Sequence, residues 1–416
     1  AAANEMFMDL FSRSARASRH QAPKQNFSRR RPHILLAAAT ALVALRALSG
    51  FGRAAESRYA TGNRCGTGSY LAAVLPLPRR GLLAEVPRKL LKLPQDRYVG
   101  PGYDVATCIV SQPGGGEVSL NFMLDSALTT SMLSPRVAQS LEIQGLSGSG
   151  EERRFTSSTA SNQRASSVSL PSVRLKGTNV TLGPLRPLVV DFAQDRIGRE
   201  LGLPIDGMLG MEFYERFGVE VDGDHLRLYE ADSVERLAED EGMVTLTTAP
   251  LAAQLLAVSV ELARGANSAD GPTAVGEDQR VVGILDTGAS HTVLNWAAAS
   301  LLLGFTQAED EERLVEEHGG TSSFDVSGRR IDMPMFEVAL QLRGAGREPQ
   351  GSCCFQPVEV AIGDIALFAT LLGGSTESPA ALIGQDLLIQ RPMLFAARQR
   401  LLCFRSETRA TIQLLD

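Results

Sequence analysis

Val281-Val-Gly-Ile-Leu-Asp-Thr-Gly-Ala-Ser-His-Thr-Val-Leu-Asn295 is the stretch on which the reading of the whole chain turns. An apolar run ends in Asp286-Thr287-Gly288, and a second apolar pair, Val293-Leu294, follows. The pattern predicts a strand that delivers one carboxylate into a tight turn before the chain re-enters the core. Glycine suits such a turn because a backbone pressed against another leaves no room for a Cβ. The Thr287 hydroxyl can tie the turn to a neighbour. Asp-Thr-Gly alone is a common surface-turn sequence, so the weight falls on whether the chain repeats it.

A repeat exists at Asn121-Phe-Met-Leu-Asp-Ser-Ala-Leu-Thr-Thr-Ser-Met-Leu-Ser134, offset by 161 residues. Asp125 falls on Asp286, Ser126 on Thr287, Ala127 on Gly288, and Met132-Leu133 on Val293-Leu294. Each copy also has a downstream companion of two apolar residues and a glycine. Met208-Leu209-Gly210 leads into Met-Glu-Phe-Tyr, and Leu382-Ile383-Gly384 leads into Gln-Asp-Leu-Leu. Two features repeated in the same order describe a tandem of two homologous lobes. Arg329-Arg-Ile-Asp-Met-Pro334 against Ser166-Ser-Val-Ser-Leu-Pro171 is a third, weaker echo.

Taken together, the paired turns and paired apolar-Gly elements resemble a two-lobed aspartic protease, and the Asp-Thr-Gly-Ala-Ser turn is closest to retropepsin-type enzymes. The resemblance covers roughly residues 105 to 405. It implies an all-β fold of two β-barrel lobes about a pseudo-two-fold axis, with Asp125 and Asp286 meeting on that axis. It further implies that Ser126 and Thr287 brace the turns, that Gly288 gives the second turn room, and that Leu209-Gly210 and Ile383-Gly384 support them. A polypeptide substrate, a monomer and no cofactor follow from the same resemblance.

The rest of the chain fits around this plan. Its 416 residues, 44% hydrophobic and 21% charged, suffice for two real cores plus appendages. Formal net charge is −6. Residues 1–55 hold nine Lys/Arg and two acids, leaving 32 basic and 45 acidic residues in the body. A body of that sign argues against nucleic acid as a partner. Five cysteines without metal-ligand spacing predict buried or free thiols rather than a disulfide framework. The five histidines show no zinc spacing. His291, beside the second turn, reads as a surface or packing residue, and Trp296 and Met132 as core. No P-loop, dinucleotide fingerprint or nucleophile elbow is present.

Residues 1–56 read as a targeting leader. Leu10 to Ala55 contains no acid, carries Arg29-Arg-Arg31 and holds an apolar run from Ile34 to Leu45. This is the composition of a plastid transit peptide, with a possible thylakoid lumen signal; a membrane anchor and a mitochondrial presequence are the alternatives. Residues 57–104, rich in Gly, Pro and Arg, read as a tether or wrap-around arm in which a propeptide could lie. The first lobe is placed at 105–240 and the second at 241–416.

In lobe one, Val105–Ser111, a turn at Pro113-Gly-Gly-Gly and Val118–Leu124 predict a hairpin feeding the first Asp turn. A short helix or strand follows at Val137–Ile143. Strands are expected at Ser167–Leu175, Val180–Leu182, Pro187–Phe192, Phe217–Asp222 and Leu226–Tyr229. Acidic Ala231–Gly242 reads as the interlobe linker or a solvated helix. In lobe two, Gln254–Leu262, a loop through Asp270-Gly-Pro and Val281–Leu285 repeat the hairpin. Ala297–Leu303 is a short helix, Glu309–Glu317 a solvated charge run, and Ile331–Leu342, Val358–Ala366, Leu401–Phe404 and Thr411–Leu415 are strands.

Two carboxylates a few ångströms apart cannot both ionise cheaply, so such a pair shares a proton. One member can then take a proton from water while the other polarises a carbonyl. Lobe one departs from the family turn at Ala127, where a Cβ could press on the facing backbone and impair catalysis. That departure supports a second reading, a protease-derived scaffold that binds peptide without cutting it. A third has lobe two alone pairing with its twin from another chain. Pepsin-like relatives often place a hydroxyl donor after the turn; Leu128 and Ala289 stand there instead. The missing donors predict raised carboxyl pKa values and activity nearer neutrality than a gastric-type enzyme. The covering flap is assigned either to the stretch near Thr156 to Val168, with Phe155, or to Gly319–Asp325, with Phe324.

Overall fold

The computed structural model describes residues 80–91, 102–111, 116–141, 152–157, 160–192, 194–195, 198, 202–251, 254–263, 279–324, 330–345, 351–371 and 377–406. The leader at 1–56, most of the arm, the loops at Pro113 and Asp270 and the strand expected at Thr411–Leu415 lie outside the described residues. What is described is an all-β fold of two lobes.

Lobe one is built on the antiparallel hairpin Tyr103–Ser111 and Glu117–Leu124, whose register runs from Val105↔Met123 to Ser111↔Glu117. Its second strand ends at Asp125. The chain then makes the short strand Met132–Leu133 and returns much later as Gly207–Leu209. That returning strand wedges between the other two, parallel to the Asp-bearing strand (Leu209↔Leu124) and antiparallel to Met132–Leu133. Lobe two repeats the wedge. Ala380–Ile383 runs parallel to Val281–Leu285 (Ile383↔Leu285) and antiparallel to Val293–Leu294. Strands covered on both faces read as unbroken apolar runs, which is why Val281-Val-Gly-Ile-Leu285 lacks alternation.

A third sheet joins the lobes. Its order is Leu82–Pro87, His225–Glu230, Phe217–Asp222, Met393–Ala396, Leu401–Phe404 and Val244–Thr247. The hairpins that close each lobe meet in it at Val219↔Phe395. One apolar cluster runs continuously from Ala84 through both lobes to Phe404.

Several details differ from the sequence reading. Ala231–Gly242 is helical with most of its acids exposed, but it is packed on one face rather than solvated all round. It forms a 3-10 turn, Ala231–Ser233, and a helix, Val234–Asp240, that buries Val234, Leu237 and Ala238 against Tyr229, Leu394, Ala396 and Cys403. Its five acids masked an apolar stripe at helical spacing. Within the arm, Leu82–Pro87 and Lys89–Leu91 are strands, too short to show periodicity. The element at Val137–Ile143 is a helix, Pro135–Ser140, capped by the Ser134 hydroxyl, with proline in its first turn where no donor is lost. Ile331–Leu342 breaks at Ala339 into Arg330–Val338 and Leu340–Arg343.

Other expectations hold. The charge run lies on the helix Gln307–His318, where Leu314 is the one fully buried residue. Trp296 and Met132 are buried. Cys108 and Cys403 are buried free thiols, Cys353 is buried and Cys354 is exposed. Among the described residues, no helix is long and apolar enough to cross a membrane.

Candidate active site

The wedges bring the two Asp turns together where the lobes meet. Each Asp backbone N–H is held by the glycine-bearing strand of its own lobe: Asp125 N donates to Leu209 O at 3.0 Å, and Asp286 N to Ile383 O at 3.0 Å. The next glycine is required because backbones cross there. A Cβ on Gly384 would sit 2.5 Å from the His291 carbonyl carbon, and one on Gly210 2.6 Å from Leu128 O. Gly210 N donates to Ser131 Oγ and Gly384 N to Thr292 Oγ1, each at 3.1 Å. Each turn closes on its own carboxylate, Ala127 N to Asp125 Oδ1 at 2.9 Å and Gly288 N to Asp286 Oδ1 at 2.8 Å.

The turns are then cross-linked. Ser126 Oγ donates to Leu285 O and accepts from Thr287 N, both at 3.0 Å. Reciprocally, Thr287 Oγ1 accepts from Ser126 N at 3.0 Å and donates to Leu124 O at 3.2 Å. A threonine hydroxyl has one proton, so the Tyr214 hydroxyl, 2.8 Å from Thr287 Oγ1, is the donor in that contact. These bonds are made within one chain, so the described residues supply both turns without a second copy.

Asp125 is 7% exposed and Asp286 fully buried, and Asp125 lies against the second turn, where a Cβ on Gly288 would meet its Cγ. Burial pushes the Asp125 carboxyl up to about 6, against hydrogen bonds from Ala127 N–H, Asp286 and Leu128 N–H that pull it down. The direction agrees with the sequence reading but the cause differs. Dehydration of the carboxyl dominates.

Ala127 is fully buried, yet its turn bond matches that of Gly288 within 0.1 Å. Gly288, by contrast, has no room for a methyl: a Cβ there would lie 2.5 Å from Asp125 Cγ. Lobe one's carboxyl occupies that space.

The hairpin Glu152–Ser157 and Ala160–Ser166 leaves lobe one and packs its second strand on the helix Ala366–Leu371 of lobe two. The alternative hairpin, Gly320–Phe324 with Arg330–Val338, stays in lobe two beside the acidic helix Gln307–His318. The lobe-one hairpin is therefore the one that spans the lobes. The side chains of Phe155 and Phe324 lie outside what is described.

Four buried residues near the turns escaped the sequence reading. Tyr103 donates to Ser290 Oγ at 3.3 Å across the lobes, and burial raises its phenol to about 12. Tyr214 resembled any core aromatic. Gln385 and Asp104 bond to each other at 3.1 Å. Gln385 alone left a signal, because it stands where the duplicate has Met211. His291 Nδ1 lies 3.8 Å from Asp386 Oδ2.

Two lobes of one plan, each presenting an Asp-centred turn to the other and locked by reciprocal hydroxyl bonds, make an aspartic-protease-like fold. The family model described as Aspartyl protease matches residues 111–213, the part holding Asp125 and Leu209-Gly210. A retropepsin-like aspartic protease from Rickettsia conorii is similar at 21% identity over 35% of this chain and 90% of that one, with a TM-score of 0.22. Basic 7S globulin from soybean is similar at 10% identity over 72% and 94%, with a TM-score of 0.35. No curated protein matches the sequence.

Proposed function

We propose that the chain is an aspartic-type endopeptidase acting as a monomer on polypeptides, with Asp125 and Asp286 as its catalytic pair. The observation that carries this reading is the reciprocal hydroxyl lock between Ser126 and Thr287, which sets two buried aspartates on facing turns. Two carboxyls buried at one site cannot both ionise cheaply, so the pair shares a proton and one member is an acid while the other is a base. The ionised member takes a proton from a water, whose oxygen attacks the scissile carbonyl carbon. The protonated member gives its proton to the carbonyl oxygen as the tetrahedral diol forms. Proton return to the amide nitrogen and collapse of the diol then break the C–N bond, with no covalent intermediate.

The second reading, a scaffold that holds peptide without cutting it, draws on the complete burial of Asp286 and Ala127. Casein digestion across pH, with and without pepstatin, separates the two. Asp286→Asn abolishes pepstatin-sensitive cleavage if the pair is catalytic. Wild-type protein that leaves casein intact at every pH, indistinguishable from the variant, sinks the peptidase reading.

A further inference from the structure

The geometry points to a positioning relay, Arg88–Asp104–Gln385, through which the segment ahead of lobe one sets the second catalytic turn. The inference deepens the peptidase reading and rests on it for its kinetic consequence. Gln385 follows Gly384 and is 1% exposed. Its Nε2 donates to Thr287 O, inside the Asp286 turn, at 3.0 Å and to Asp104 Oδ2 at 3.1 Å. Asp104 belongs to lobe one and is 2% exposed. A carboxylate that deep needs a charged partner. It has one in Arg88, whose Nε reaches Oδ1 at 2.6 Å and whose Nη2 reaches Oδ2 at 3.1 Å, a two-point grip that fixes the plane of the carboxylate.

Arg88 is itself immobilised. It sits between the strand Leu82–Pro87, paired to His225–Glu230, and the strand Lys89–Leu91, paired to Tyr103–Ser111. Its backbone N–H donates to Asp224 O at 2.6 Å and its Nη1 to Gly223 O at 3.2 Å. A chain of hydrogen bonds, charge-assisted at Asp104, thus runs from the arm, through lobe one, to a carbonyl in the turn of lobe two. The duplicated position in lobe one is Met211, which cannot donate, so the first turn has no such relay. One consequence concerns maturation. The arm from Leu82 onward belongs to the working enzyme, and any leader or propeptide must be cut before it.

Kinetics and backbone amide exchange on the full chain test this. Arg88→Gln lowers kcat on casein by about tenfold or more with KM little changed, because a displaced turn loses rate rather than binding. Arg88→Lys, which keeps the charge, recovers part of the loss. In the same Arg88→Gln protein the amides of residues 286–288 exchange faster while those of 125–127 do not. Unchanged exchange at 286–288, or equal loosening of both turns, overturns the relay. If Arg88→Gln fails to fold, Gln385→Met, which gives lobe two the residue lobe one carries, is read by the same two measurements. Should the wild type not cleave casein at all, the peptidase reading falls, and the exchange comparison alone decides the relay.

Discussion

The two Asp turns share a backbone and differ in what surrounds it. Their paired hydrogen bonds agree within 0.1 Å: 3.0 and 3.0 Å to the wedge carbonyls, 2.9 and 2.8 Å across the turns, 3.1 and 3.1 Å from the glycines. Burial separates them. Ala127 and Leu128 are fully covered, with Leu128 packed among Met132, Leu188 and Ala165 at the base of the lobe-spanning hairpin. Gly288 and Ala289 are only half-buried. The comparison teaches that geometry comes from the wedge and the hydroxyls, which both lobes keep. The lobes differ in the residues after the aspartate, which are covered in lobe one and half-exposed in lobe two, although Asp286 itself is fully buried.

The largest effect is expected at Gly288. An added methyl there meets Asp125 Cγ at 2.5 Å and Oδ2 at 2.7 Å, so one carboxyl must move. Displacement of about an ångström at a catalytic group can cost on the order of 100-fold in rate. Gly288→Ala should lose at least that much kcat/KM on casein, although the same methyl at position 127 is accommodated. Activity within threefold of wild type would show that the carboxyls are not held as described.

Next come the cross-links. Thr287→Val strands Ser126 N–H, Leu124 O and the Tyr214 hydroxyl, whereas Ser126→Ala strands only Thr287 N–H and Leu285 O. With about 1–3 kcal/mol for each buried group left unpaired, both variants should unfold at lower denaturant, Thr287→Val the more so. Equal midpoints would mean that Tyr214 contributes nothing to the lock.

Stability should also depend on pH through Asp125. Its folded value of about 6 lies above the 3.8 of an unperturbed aspartate, so between those values the native state binds more protons than the unfolded chain. The contribution is therefore fully present below about pH 4 and is lost as pH rises through about 6. Asp125→Asn, which cannot ionise, should melt higher than wild type at pH 7 and no higher at pH 3.5. A gain of the same size at both values would locate the penalty elsewhere. For activity, the same shift places the alkaline fall of the rate profile near pH 6, with the pair sharing its proton on the acid side of it.

How much of this was legible in the residues follows from the same contrast. Duplication exposed the wedge, because Asp125/Asp286, Leu209-Gly210/Ile383-Gly384 and the hydroxyls of Ser126/Thr287 occur twice in one order. What broke the symmetry stayed hidden. Asp104 and Arg88 lie in a stretch without periodicity, and their meeting with Gln385 depends on how the lobes pack, which no local pattern encodes. The helix Val234–Asp240 was misread for the opposite reason: Glu235, Glu239 and Asp240 dominate its composition, while Val234, Leu237 and Ala238 decide its place.

The smallest effect is expected at Ala127, and it bears most directly on whether the two turns are equivalent. Ala127→Gly removes a fully buried methyl and frees the unfolded chain, together a loss of about 1–2 kcal/mol. Its turn bond already has the length found at Gly288, so glycine has little geometry to restore. Cleavage should therefore change by less than about threefold while the melting temperature falls. A gain of tenfold or more in kcat would instead reveal that the methyl holds Asp286 off its working position, and that the first turn trades rate for a tighter seal.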